Sequence, residues 1–248
     1  IWGGEVMIAD AEEFSRFGHF AYLPLPGGAA AIKKPWRMAA SALYDALGEG
    51  LFETGLPFLS SIPRERLKIL VDMIEKRVNS PLTSSCGRLF DAVAAISGVR
   101  NYVAYEGQAA VELEAAADED RKRVYPFEIQ SVDGVERFMT GPIIKAVVED
   151  VIHGVETGLI SATFHNTLVR LFYEACERVR GLHGLTRVVL SGGCFQNARL
   201  LVDLSKTLEA NGFAVYTQSA VPSNDGGISL GQALVADAKY KAGIGAQA

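Results

Sequence analysis

Leu67, Leu70, Val71, Ile74 and Val78 recur at i, i+3, i+4, i+7 and i+11, the spacing that gathers apolar side chains on one face of an α-helix. With Pro63 at its start and Asn79 and Pro81 beyond it, the pattern predicts a helix over 63–78. A second helix is expected from Pro35, carrying Trp36, Met38, Ala39, Leu43 and Leu47 and ending near Gly48. A third, capped by Ser84 or Ser85, turns Leu89, Phe90, Val93 and Ile96 inward and stops at Gly98. Ahead of these, residues 1–28 read as extended or hairpin segments. Ile1-Trp2-Gly3-Gly4-Glu5 reads as a strand already under way, and two prolines and two glycines over 22–28 exclude a helix there.

Glu106-Gly107 opens a helix through about Ala117, and the all-charged run 118–123 reads as a solvated connection. Alternation over 125–132, then Asp133-Gly134, predicts a hairpin returning through 135–139. Pro142 starts a helix to about His153. A long helix after Gly158 places Leu168, Leu171, Phe172, Cys176 and Val179 on one face. The last quarter changes period: strand 187–191, helix 197–211, strand 213–219, helix 225–240. The expected chain is helix-rich and closes with an α/β unit.

Composition narrows the classes. At 248 residues, 49% hydrophobic and 21% charged, the chain is long and apolar enough for a real core. Net charge is −5 with no basic stripe, so nucleic acid is not the expected partner. The apolar runs are too short to span a bilayer, and no signal peptide opens the chain. Cys86, Cys176 and Cys194 are odd in number and far apart, which points to a reducing cytoplasm, no disulfide framework and no structural zinc site. Ile1 in place of an initiator Met is read as a fragment of a longer protein.

Two corners could carry chemistry. In Val188-Val189-Leu190-Ser191-Gly192-Gly193-Cys194-Phe195-Gln196-Asn197 a β-branched strand enters a glycine turn and opens a helix. In Ser223-Asn224-Asp225-Gly226-Gly227 a glycine-flanked carboxylate opens another. Such turns present backbone N–H groups to phosphate. Gly192, Gly193 and Asn197 are therefore candidates for holding a nucleotide, against the plainer reading of a tight turn with Asn197 as helix cap. Asp225 is a candidate metal ligand or a cap; no HxxxH spacing accompanies it. Arg88 and Asp91 sit one turn apart, able to pair with each other or to reach ribose and phosphate. Tyr105-Glu106-Gly107-Gln108 is a polar loop at a helix start. Cys194 reads as a small buried thiol, His165 as a packed or surface residue, and Trp2 and Trp36 as core.

With these residues in place, the chain resembles the C-terminal part of the HypF family, the carbamoyltransferases of NiFe-hydrogenase maturation. The matching segments are Trp2-Gly3-Gly4-Glu5, Leu25-Pro26-Gly27-Gly28, Pro35-Trp36-Arg37-Met38-Ala39, 84–91, Tyr105-Glu106-Gly107-Gln108-Ala109-Ala110, Phe164-His165, 191–197 and 222–232, in order across nearly the whole chain. The resemblance implies an α/β fold, the C-terminal portion of a TsaD-like domain of the actin, Hsp70 and sugar-kinase superfamily.

It further implies that carbamoyl-adenylate, made from carbamoyl phosphate and ATP, is bound and its carbamoyl group passed to the C-terminal cysteine of a HypE-type partner, on the way to the cyanide ligand of the hydrogenase. Carried over by position, Asp225 matches a ligand to a divalent metal (Zn, Fe or Mg). Gly192, Gly193 and Asn197 match the nucleotide loop. Gly87, Arg88 and Asp91 match the segment facing ribose and phosphate, and Glu106 and Gly107 a second loop of the cleft. The family's histidine-rich metal motif and first phosphate loop precede the segment matching Ile1. About half of the cleft is thus expected here, without transferase activity in isolation; no residue of this chain is expected to act as a nucleophile. A TsaD-type enzyme acting on tRNA, another O-carbamoyltransferase and a non-catalytic nucleotide- or partner-binding module stand as alternatives.

Overall fold

The computed structural model describes residues 1–119 and 122–243. Two antiparallel strands, β1 (Glu5–Ala9) and β2 (Phe14–Phe20), lead to β3 (Leu23–Pro24), a short α1 (Ala29–Lys33) and α2 (Trp36–Leu47). Then come α3 (Arg64–Glu75), β4 (Leu82–Thr83), α4 (Cys86–Ile96) and α5 (Gln108–Ala115). The hairpin β5 (Glu128–Val132) and β6 (Val135–Met139) returns to the first sheet, giving the order β1-β2-β6-β5 with β2 and β6 parallel. After α6 (Gly141–Ile152) and the 27-residue α7 (Thr157–His183), the α/β unit follows: β7 (Arg187–Leu190), α8 (Ala198–Ala210), β8 (Ala214–Thr217) and α9 (Ile228–Lys241), with β7 and β8 parallel. No described helix is long and apolar enough to cross a membrane.

The core lies where α2, α4, α6 and α7 pack together, with Phe172 of α7 meeting Phe20 and Phe138 of the four-stranded sheet. Phe20 and Phe138 meet edge to face at 5.6 Å, and Phe90 and Phe164 at 5.0 Å, the geometry that the ring quadrupole favours. Leu200, Leu204 and Leu208 of α8 fall at i, i+4 and i+8 and bury against α7. α9 differs: none of its residues is buried, and Ile228, Leu230 and Leu234 are all at least half exposed. Val189 of β7 (68% exposed) and Tyr216 of β8 (53%) leave that small sheet open on one face.

Several sequence expectations are corrected. The helix predicted over 63–78 ends at Glu75, and Val78 is exposed. Arg77 and Asn79 adopt φ of 53° and 46°, so the chain reverses before its last apolar position reaches the helix face. The residue before α4 is Ser85, but neither serine caps it through its side chain. Ser84 Oγ donates to Glu5 Oε1 (2.5 Å), while the orphan amide of Cys86 donates to Gly3 O (3.1 Å). The opening residues therefore bond to the start of α4, and the β1 ladder begins only at Glu5. Trp2 is half exposed, stacked on the Arg16 guanidinium at 4.2 Å and outside the core. The strand expected over 125–132 begins at Glu128, because the Tyr125 amide is taken by Thr167 Oγ1 (2.8 Å). The charged connection 118–123, of which 120 and 121 lie outside the described residues, is anchored. Asp118 N donates to Gly158 O, and Arg123 pairs with Asp150 at 2.6 Å.

Candidate functional site

The two corners meet. Gly192, two residues past β7, holds φ 110°, a conformation open to glycine at low cost, and its amide donates to Ser223 O at 2.8 Å. The chain then makes a 3-10 turn, Gly193–Gln196, and enters α8. On the facing side, Asn224 Oδ1 accepts from Gly226 N (3.0 Å), shaping the turn that exposes Asp225 ahead of α9. The third wall is the start of α4. A Cβ placed on Gly87 would stand 3.9 Å from Cys194 Sγ, so the α4 terminus and the post-β7 turn lie against each other. Gly87, Arg88, Asp91, Gly192, Gly193 and Asn197 thus converge, and Glu106 is near enough to act electrostatically on Asp91. Gly107 holds φ 83° at the start of α5.

Arg88 and Asp91 are buried with Nη1 and Oδ2 2.9 Å apart, although the two are not aligned as a hydrogen bond. Burial raises the Asp91 carboxyl to about 7; Arg88 opposes this and Glu106 adds to it. A misaligned guanidinium beside a carboxyl of this kind can turn toward an incoming anion. Beneath the turn, the Cys86 thiol faces that of Cys194. That contact, with burial, pushes Cys86 well up, and it holds Cys194 down, helped by Arg88 and the Gly87 amide against burial.

Asn197 serves as the cap: its Oδ1 accepts from Leu200 N (2.8 Å), and Nδ2 lies 2.9 Å from Nε2 of the wholly buried His165. Glu114 takes the Arg199 amide at 3.0 Å. The Arg199 and Leu200 amides of α8 are therefore used inside the protein. The amides that open the 3-10 turn, at Gly193 and Cys194, have no acceptor within the turn and suit a ligand. A Cβ placed on Gly193 would meet no atom within 4 Å, and its φ is not left-handed, so nothing in this fold demands glycine there. The contacts of Gly87 are of ordinary length too.

Among the described residues no three His, Cys, Asp or Glu side chains gather as a metal site. Asp225 stands exposed and belongs to no such group, so the described residues alone do not fit a metal ion. Two grooves of about 490 and 620 Å³ lie elsewhere, and no candidate residue lines either. Sequence reasoning missed the Cys86–Cys194 contact and the link from His165 to Asn197. Neither carries a local signal, since the partners are more than 30 positions apart.

Residues 1–232 match the family described as the carbamoyltransferase Kae1-like domain, second subdomain, and the chain belongs to that family. It is 37% identical over 264 residues to carbamoyltransferase HypF2 of Cupriavidus necator, covering 95% of this chain and 31% of that protein. It is also 37% identical to carbamoyltransferase HypF of Rhizobium leguminosarum bv. viciae, covering 93% of this chain and 29% of that one. The chain thus spans about a third of the length of these curated relatives. It superimposes on full-length HypF, crystallised in a phosphate- and nucleotide-bound form, with TM-score 0.91 and 41% identity, over 97% of this chain and 37% of that one. The expected α/β, TsaD-like fold is therefore the fold this chain has.

Proposed function

We propose that this chain is the nucleotide-holding half of a carbamoyl-transfer cleft in a longer carbamoyltransferase, and that its ligand is carbamoyl-adenylate formed from carbamoyl phosphate and ATP. The observation that carries the reading is Gly193: a glycine the fold does not require, at the head of two amide donors, beside the Arg88–Asp91 pair. Backbone N–H groups there suit the adenylate phosphate, and Arg88 supplies the nearby positive charge. Asn197 contributes by shaping the turn, since its carboxamide is already bonded within the protein. The phosphate- and nucleotide-bound state of the 41%-identical HypF supports the same ligand class.

In the reaction, the C-terminal cysteine thiolate of a HypE-type partner attacks the carbamoyl carbon. A C–S bond forms, the C–O bond to the phosphate breaks and AMP leaves. No nucleophile is asked of this chain. The product is the precursor of the hydrogenase cyanide ligand, made in the reducing cytoplasm where the free cysteines of this chain persist. Asp225 would offer one oxygen to a divalent cation whose other ligands come from elsewhere in the longer protein, and no step here is derived through that ion. The open faces of β7, β8 and α9 are suited to packing against the missing part of the cleft, so the chain alone is expected to bind without catalysing transfer.

The test is calorimetric titration of ADP and a non-reactive carbamoyl-adenylate analogue into this chain and its Gly193→Ala variant. Binding that weakens at least tenfold in the variant, about 1.4 kcal/mol, is expected. Equal binding by both proteins would remove the turn from the site.

A further inference from the structure

We infer that His165, buried in α7 and outside every residue assigned to the cleft, is the positioning residue that fixes the orientation of the Asn197 carboxamide and with it the turn that follows β7. The inference rests on the nucleotide reading of that turn only for its functional consequence. The geometry itself is a directed chain of hydrogen bonds. Asn197 Oδ1 accepts from Leu200 N at 2.8 Å, which fixes the oxygen on the α8 side and leaves the Nδ2 donor facing His165. Nε2 of His165, 2.9 Å away, must then be the acceptor. A neutral imidazole with an accepting Nε2 carries its proton on Nδ1, and Nδ1 lies 2.8 Å from the Ser161 carbonyl, one helical turn back, which takes it. Ser161 Oγ in turn donates to Leu113 O, joining the chain to α5.

The ring has little freedom to leave this arrangement. His165 has no exposed surface and packs against Phe90 of α4 at 5.3 Å between centroids. The tautomer protonated on Nδ1 satisfies the contacts to Ser161 O and to Asn197 Nδ2, whereas a proton on Nε2 would set two donors face to face. His165 and Ser161 together therefore connect α4, α5 and α7 to the start of α8. The turn Gly193–Gln196 is too short to hold its own shape, so it inherits rigidity from this contact.

Leucine at 165 removes the acceptor and strands the Asn197 Nδ2 donor in a site only 9% exposed. Glutamine can place an oxygen where Nε2 stands. The experiment measures amide hydrogen exchange at Leu200 in the wild-type chain, His165→Leu and His165→Gln, with ADP titrated into each. Exchange at Leu200 should rise at least tenfold in His165→Leu and stay within about threefold of wild type in His165→Gln, with ADP affinity following the same order. A loss shared equally by leucine and glutamine, or unchanged exchange in both, would overturn the inference by making His165 a packing residue. Wild-type protein that does not bind ADP would instead count against the nucleotide reading, and the exchange data would still decide the role of His165.

Discussion

The Gly192 amide and the Ser223 carbonyl, 31 positions apart in sequence, are joined at 2.8 Å, and this bond sets the turn after β7 beside the turn before α9. It brings Gly193 and Asp225 to the same edge of the molecule without using either side. Gly192 and Gly193 are adjacent, yet the fold demands glycine only at the first.

That asymmetry separates structure from binding. Gly192→Ala forces a Cβ into φ 110° and should cost roughly 1–2 kcal/mol of stability. Gly193→Ala meets nothing within 4 Å and should stay within about 0.5 kcal/mol of wild type. Chemical denaturation of the two variants checks this; a Gly193→Ala protein as unstable as Gly192→Ala would refute it.

Asp91 should make stability depend on pH. Its folded pKa, raised to about 7 by burial, lies above the ordinary carboxylate value of 3.8, so the folded state binds more protons than the unfolded state between them. Stability from this group is fully present below about pH 4 and is lost as pH rises through about 7. Melting temperatures of wild type and Asp91→Asn across that range should show the wild type falling relative to the variant. Parallel curves would mean that Arg88 keeps Asp91 ionised throughout.

The three thiols should not react alike. Cys194 is partly exposed and held below the usual thiol range by Cys86, whereas Cys86 is buried and pushed up. Cys176 is raised to about 11 by burial. Iodoacetamide at pH 8, followed by peptide mass mapping, should label Cys194 first. First labelling at Cys176 would contradict this order.

The open face of β7, β8 and α9 should make the isolated chain adhesive. Val189→Lys and Leu234→Lys, at positions 68% and 61% exposed, should reduce self-association in sedimentation while leaving the melting temperature nearly unchanged. A large fall in melting temperature would mean that these side chains are already covered in solution.

Helix existence and type were legible in the sequence because apolar spacing and the prolines at 35, 63 and 142 act locally, within a turn or two. The Asp133-Gly134 hairpin and the alternation of strand and helix after 187 were legible for the same reason, and so were the two glycine corners and the i,i+3 pairing of Arg88 with Asp91. Helix ends and caps were less so. Val78 fits the helical period, but left-handed backbone at Arg77 ends α3 first, and Ser85 precedes α4 without a side-chain cap while Gly3 O, from 83 residues upstream, takes the Cys86 amide. Tertiary structure alone decided which candidate side chains have groups to spare. Asn197 could be read as cap or ligand from its neighbours; the structure shows the cap, with Nδ2 facing His165, 32 positions away on another helix. The reason is physical. Periodicity, turn chemistry and capping propensity are short-range properties of adjacent residues, whereas burial, pKa and hydrogen-bond satisfaction depend on which distant atoms arrive at the same place.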